Sequence, residues 1–159
     1  MFRFELKNNT PLGQEARTYM DRGDLVPDAV TIAMLRKRVE DNPGVTGIIF
    51  DGFPRTDPQA EALNELMEKL GSQIDALILL DIDEDEVVRR ILSRGAKSGR
   101  ADDLKEETIR TRYQNFVNYT NPVYKYYDGK GLAHKVDGMQ KIVQVATAVD
   151  QIVSAGVEA

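Results

Sequence analysis

Asp51-Gly52-Phe53-Pro54-Arg55-Thr56, with Gln59 three positions further on, is the run of this chain best equipped to handle phosphate. Asp51 can hold a Mg²⁺ through its water shell, Gly52 lets backbone come close, and Pro54 stiffens the turn. Arg55 can grip a phosphate with two parallel hydrogen bonds, and the Gln59 amide offers a donor and an acceptor suited to a purine edge. Taken singly, each residue fits a plain strand–turn–helix connection with an N-cap. As one string at a strand end, they point to a nucleotide. Arginines gather elsewhere too. Arg90 and Arg94 lie four apart on one helix face and lead into a loop. Arg100 closes that loop, and Arg112 lies about two to three turns into the next helix. Phosphoryl transfer spreads negative charge over equatorial oxygens, and a dry ring of guanidiniums with Mg²⁺ stabilises it. For each arginine alone, a solvated helix-face charge is an equal reading.

The elements that position these groups follow from pattern. The 159 residues, 42% hydrophobic and 30% charged, suit one domain over 1–159 with a sizeable core. No run approaches a membrane span or a signal peptide, and cysteine is absent, which excludes disulfides and thiolate metal sites. These features predict a cytoplasmic protein with no membrane partner. The net charge of −5 argues against nucleic acid, though not against local arginine sites for small phosphates. Helices are expected over Met1–Lys7, Leu12–Met20, Asp28–Asp41 and Thr56–Leu70, the last opened by Thr56-Asp57-Pro58. Thr46–Phe50, Ala76–Leu80 and Leu132–Val136 read as strands, the first two as apolar runs buried on both faces of a parallel sheet. Between the last two strands a helix ends near Ser93 and Gly95–Asp103 forms a polar loop. A long helix over Leu104–Asn118 is then broken or kinked at Asn121-Pro122. Met139–Ser154 closes the chain. Strands alternating with helices imply βαβ crossovers, with ligands beyond the carboxyl ends of the strands.

Asp51-Gly52-Phe53-Pro54-Arg55-Thr56-x-x-Gln59 resembles the signature of the adenylate kinases, and the likeness runs through almost the whole chain. Gly23-Asp24-Leu25-Val26 is similar to the family segment that touches the AMP ribose and base. Arg3 matches the first AMP-phosphate arginine, and Lys135-Val136-Asp137-Gly138 resembles the strand end beside the ATP adenine. The resemblance implies an α/β fold like that of the P-loop kinases, a three-layer parallel sheet with helices on both faces. It implies a monomer that moves a phosphoryl group reversibly from ATP to AMP, giving two ADP, with Mg²⁺. Catalytic roles then fall to Arg55, Arg90, Arg94, Arg100 and Arg112. AMP would be bound by Arg3, Leu25, Val26, Gly52, Arg55, Gln59, Arg100 and Arg112. ATP would be bound by Arg90, Arg94, Lys135 and Gly138, with Asp51 organising Mg²⁺. The AMP-binding region would cover about 1–26 and a short lid about 94–103. Uridylate/cytidylate kinases share the short lid, but tend to carry Asn at and near the positions of Thr56 and Gln59, so these two residues favour AMP.

Weaker signals have plainer explanations. Asp81, Asp83, Glu84, Asp85 and Glu86 suit a helix N-terminus, which favours negative charge without any metal. His134, the single histidine, sits on an expected strand with no relay partner near it in sequence and reads as structural. Tyr113, Tyr119, Tyr124, Tyr126 and Tyr127 read as packing rather than as a base-stacking platform. Gly95-Ala96-Lys97-Ser98-Gly99 lacks the spacing of a phosphate loop and follows a helix, not a strand.

A Gly-x-x-x-x-Gly-Lys-Ser/Thr string, which cradles β- and γ-phosphates in this class, occurs nowhere in the 159 residues. In the family it lies on the first strand, at the centre of the sheet. Met1-Phe2-Arg3-Phe4-Glu5-Leu6 starts as if in mid-helix. The expectation is therefore a chain lacking about 30–40 residues and the N-terminal central strand. Two strand edges and a slab of core would be exposed. Kinase activity would be impaired, with an inactive AMP-binding remnant as the alternative.

Overall fold

The computed structural model describes residues 2–99 and 103–157. Helices dominate, and local chemistry sets most of their ends. α1 (Phe2–Lys7) turns at Asn8-Asn9 into α2 (Pro11–Met20), whose Thr10 cap accepts a hydrogen bond from the Gly13 N–H at 3.1 Å. α3 (Asp28–Glu40) starts directly behind Pro27. α4 (Asp57–Lys69) is capped by Thr56, which accepts from the Gln59 N–H at 3.4 Å. β1 (Leu77–Asp81) leads to α5 (Glu84–Ser98), capped by Asp83 and closed by Gly99 at φ +67°. α6 (Glu106–Asn115), a π-helical turn over Phe116–Thr120 and α7 (Asn121–Asp128) follow in unbroken succession. β2 (Ala133–Asp137) and α8 (Ile142–Val157) complete the order.

The sheet is parallel, with Leu77 opposite Ala133 and Asp81 opposite Asp137, and the whole α5–α7 stretch forms the crossover. The α/β class thus holds. α7 packs over both strands and α8 against β2. Ala60, Val123 and Tyr127 form the core beneath the strands, with Leu77, Leu132 and Ala133 packed on it. Leu35, Phe53, Leu63, Leu66 and Met67 join α3 to α4. Ala16, Val26 and Met34 hold α2 against α3.

Three expectations need correction. Thr46–Phe50 is not a strand. It runs without a ladder, and Ile49 is 95% exposed, because a strand exists only where a neighbour supplies N–H and C=O partners. Among the described residues the only strand paired with β1 is β2, and nothing pairs with 46–50. Only Phe50 is drawn in, against the α3–α4 core. Next, α5 does not stop near Ser93 but continues through Gly95 to Ser98. A Cβ at Gly95 would lie 2.6 Å from the Asp103 carbonyl oxygen, so this glycine permits close contact rather than ending the helix. Last, Asn121-Pro122 starts α7 instead of breaking a helix. Pro122 has no N–H to give, and the π-helical turn just before it absorbs the lost bond.

Candidate active site

The Asp51–Thr56 turn is held by its own backbone. Gly52 takes φ +69°, and its carbonyl accepts from Arg55 Nε at 2.7 Å. The Arg55 side chain is open to solvent yet has protein on most sides, as a group in a cleft does. That surrounding protein and the like charge of Arg112 lower its pKa, and Asp51 pulls the other way. Asp51 is exposed at the start of the turn.

Gln59 lies behind the turn, 2% exposed. Its carbonyl oxygen accepts from the Arg55 N–H at 2.9 Å, and its amide nitrogen donates to Asp28 Oδ1 at 2.7 Å. Thr56 Oγ1 donates to the same Asp28 oxygen at 2.9 Å. The first turn of α3 is thereby tied to the first turn of α4. Beside this link opens a cleft of about 570 Å³, lined by Leu25, Val26, Asp28, Thr56, Asn115 and Tyr119 among others.

A second polar cluster joins α5 to α6, and α6 gives Asn115 to the cleft. Asp103 is fully buried and accepts from Arg94 at 2.7 and 3.0 Å and from Arg112 Nη1 at 3.1 Å. Burial alone would raise the Asp103 pKa, but the two guanidiniums outweigh it and hold the carboxyl below its ordinary range. α6 reaches back to the glycine loop after α2. Asn115 Nδ2 donates to the Gly23 carbonyl at 3.0 Å, and a Cβ at Gly23 would lie 2.8 Å from the Thr108 carbonyl.

At the carboxyl ends of the strands, Arg90 Nη1 donates to the Gly138 carbonyl at 2.8 Å while its Nε binds Glu86 at 2.6 Å. Gly138 is buried and donates to the Asp81 carbonyl, and a Cβ there would lie 2.4 Å from Ile82 Cγ1. Lys135 Nζ pairs with Asp81 at 2.8 Å, and that hydrogen bond raises its pKa.

Arg55 and Gln59 thus share one turn, Arg94 and Arg112 share one carboxylate, and Arg90 meets Gly138 at the strand ends, where Lys135 pairs with Asp81. Leu25 and Val26 line the cleft. Arg100 lies outside the described residues, as does the side chain of Arg3, whose backbone belongs to α1. Sequence reasoning missed the acids that hold these groups: Asp28 on Gln59 and Thr56, Asp103 on Arg94 and Arg112, and Glu86 on Arg90. Asp28 follows Pro27 as an ordinary first-turn acid, and nothing in the Asp102-Asp103 pair marks which one is buried. His134 is exposed on β2. Among the described residues no helix is long and apolar enough to cross a membrane.

A parallel α/β arrangement with an arginine-bearing turn at the head of a helix suits the class of nucleoside monophosphate kinases. The sequence model of the family described as adenylate kinase matches residues 1–132. Similar proteins include an adenylate kinase of Flavobacterium johnsoniae, 45% identical over 96% of this chain and 80% of its own length. One of Flavobacterium psychrophilum is 44% identical over 97% of this chain and 81% of its own. One of Leptospira biflexa is 39% identical over 94% and 80%. The chain belongs to the adenylate kinase family.

Proposed function

We propose that this site serves the reversible, Mg²⁺-dependent transfer of a phosphoryl group from ATP to AMP, giving two ADP. The observation that carries the reading is the arginine-bearing turn at Gly52–Arg55, with Gln59 buried behind it, beside a cleft lined by Leu25, Val26 and Thr56. On the AMP side, Leu25 and Val26 line the cleft, Gly52 lets backbone approach, and Gln59 reads the base. Arg3, Arg55, Arg100 and Arg112 hold the phosphate. On the ATP side act Arg90, Arg94, Lys135 and Gly138. No general base is needed, because positioning and charge stabilisation carry the rate. Family membership supports a cytoplasmic monomer.

Asp51 fits Mg²⁺ as a single carboxylate acting through water. Among the described residues no group of three or more acids or histidines forms an all-protein cage, and Mg²⁺ prefers to keep its waters and sit on substrate phosphates. Bound there, Mg²⁺ would supply neutralisation of negative charge on the nucleotide phosphates.

Residues 1–159 contain no Gly-x-x-x-x-Gly-Lys string, and 46–50 is unpaired. The polypeptide of these residues alone is therefore expected to bind AMP better than ATP and to turn over little. A coupled assay of ADP formation, with calorimetric titration of AMP, ATP and UMP, tests this. Arg55→Lys keeps the charge but loses the fork, and AMP affinity should fall about tenfold. Equal AMP binding by both forms would sink the assignment of Arg55, and UMP bound more tightly than AMP would favour the uridylate/cytidylate reading.

A further inference from the structure

The orientation of the Gln59 amide is settled by its neighbours. The Arg55 N–H can only donate, so the atom facing it at 2.9 Å is the amide oxygen. The nitrogen then faces Asp28 Oδ1, which as a carboxylate only accepts, at 2.7 Å. Rotating the amide by half a turn would set nitrogen against the Arg55 N–H and oxygen against the Asp28 carboxylate. Both contacts would become repulsive. Asp28 cannot swing aside freely, because Thr56 Oγ1 holds the same oxygen at 2.9 Å. After these two bonds the amide retains one N–H and one oxygen lone pair for a ligand.

We propose that Asp28 is a specificity-determining residue, which locks the Gln59 amide so that it accepts 6-aminopurine and refuses 6-oxopurine monophosphates. The inference rests on the reading that Gln59 faces the base. A 6-aminopurine offers an N–H donor beside a ring-nitrogen acceptor, which the locked amide matches. A 6-oxopurine offers the reverse, acceptor beside donor, and could be matched only by the forbidden rotation. Asp28 acts through Gln59 and itself lines the cleft.

The test uses the full 159-residue chain and Asp28→Asn. Asparagine keeps the size of the side chain and can either accept from Gln59 or donate to it, so the lock loosens while the packing remains. AMP and inosine monophosphate are titrated by calorimetry, and exchange of the Gln59 side-chain amide protons is followed by NMR. The unmodified chain should prefer AMP, with slowly exchanging Gln59 protons. In D28N the preference should shrink by about tenfold and the exchange should quicken. Parallel loss of both affinities together with thermal stability would overturn the proposal, as would an unchanged ratio. If the unmodified chain binds neither nucleotide while its Gln59 protons stay protected, the base-reading role of Gln59 fails and the specificity claim falls with it. If those protons exchange freely in the unmodified chain, the lock itself is refuted whatever the nucleotide affinities.

Discussion

Arg94 and Asp103 form a two-point ion pair, Nε to Oδ2 at 2.7 Å and Nη2 to Oδ1 at 3.0 Å, between the end of α5 and the start of the α6 region. Oδ1 also accepts from Arg112, so one buried carboxylate sets the positions of two cations on different helices. Its depressed pKa fixes the direction of the pH effect. A carboxyl that ionises more readily folded than unfolded stabilises the fold above the ordinary aspartate range, and that contribution fades as pH falls through the lower, folded value.

Asp103→Asn should therefore lower stability by about 1.5–3 kcal/mol near neutral pH, the range for hydrogen bonds to charged groups. Because the lost term depends on ionisation, variant and parent should converge in acid. Urea midpoints at neutral and acidic pH would show it. A gap that stays constant on acidification would mean that the carboxylate's charge is not what holds the two helices.

Ile49 makes the opposite prediction. At 95% exposure it has almost no contacts to lose, so Ile49→Lys in the polypeptide of residues 1–159 should change stability by less than about 0.5 kcal/mol. It should also reduce self-association, since Val45, Ile48 and Ile49 together form an exposed apolar run. Were 46–50 a strand buried on both faces, the same change would cost several kcal/mol. Denaturant unfolding and sedimentation distinguish the two.

That segment shows where sequence reading stops. Helices whose ends carry their own caps, as at Thr10, Thr56 and Asp83, were legible because the signal lies within four residues. The strands at Leu77–Asp81 and Ala133–Asp137 came within one residue, since each finds its partner in the other. Thr46–Phe50 carries an equally good pattern, but a ladder is a property of two segments and no local pattern reveals a missing neighbour. Gly95 misled for a related reason, because its contact is with Asp103, eight positions away. In the site, the arginines stood out by type and spacing. The carboxylates that hold the site did not, because burial of Asp103 between two arginines and the double hold of Asp28 on Gln59 and Thr56 arise only when helices meet.

Tyr127 tests the core beneath the strands. Burial first, and the neighbouring Tyr126 second, push its hydroxyl up to about 12, with the 3.4 Å contact to Asn64 a small offset. An acid whose folded pKa is raised favours folding below its unfolded value, near 10, and that contribution is lost as pH climbs to about 12. Two pH units correspond to about 3 kcal/mol. Tyr127→Phe should cost less than about 1 kcal/mol at neutral pH and remove that part of the alkaline decline, whereas Tyr127→Ala should cost roughly 3–5 kcal/mol through the cavity it leaves. Thermal unfolding of the three proteins from pH 7 to 11 would decide, and an identical alkaline slope in Tyr127→Phe would refute the assignment.

Glu86 offers a site-level check that needs no nucleotide. Its carboxylate accepts from Arg89 at two points and from Arg90 at one, all at 2.6 Å. The Arg89 hydrogen bonds, then that of Arg90, lower its pKa to about 2. Whatever Glu86 adds to the fold is thus present above the ordinary glutamate range and is lost as pH falls toward 2. Carboxyl NMR titration should find this one glutamate ionised well below the others, and Arg89→Ala should bring its pKa most of the way back. Arg90 also holds the Gly138 carbonyl, so Glu86→Gln should leave that contact in place while loosening the arginine's other end. The expected mark is a shifted Gly138 amide resonance with an unchanged melting temperature. A Glu86 that titrates with the exposed glutamates would mean that Arg90 is steered by Gly138 alone.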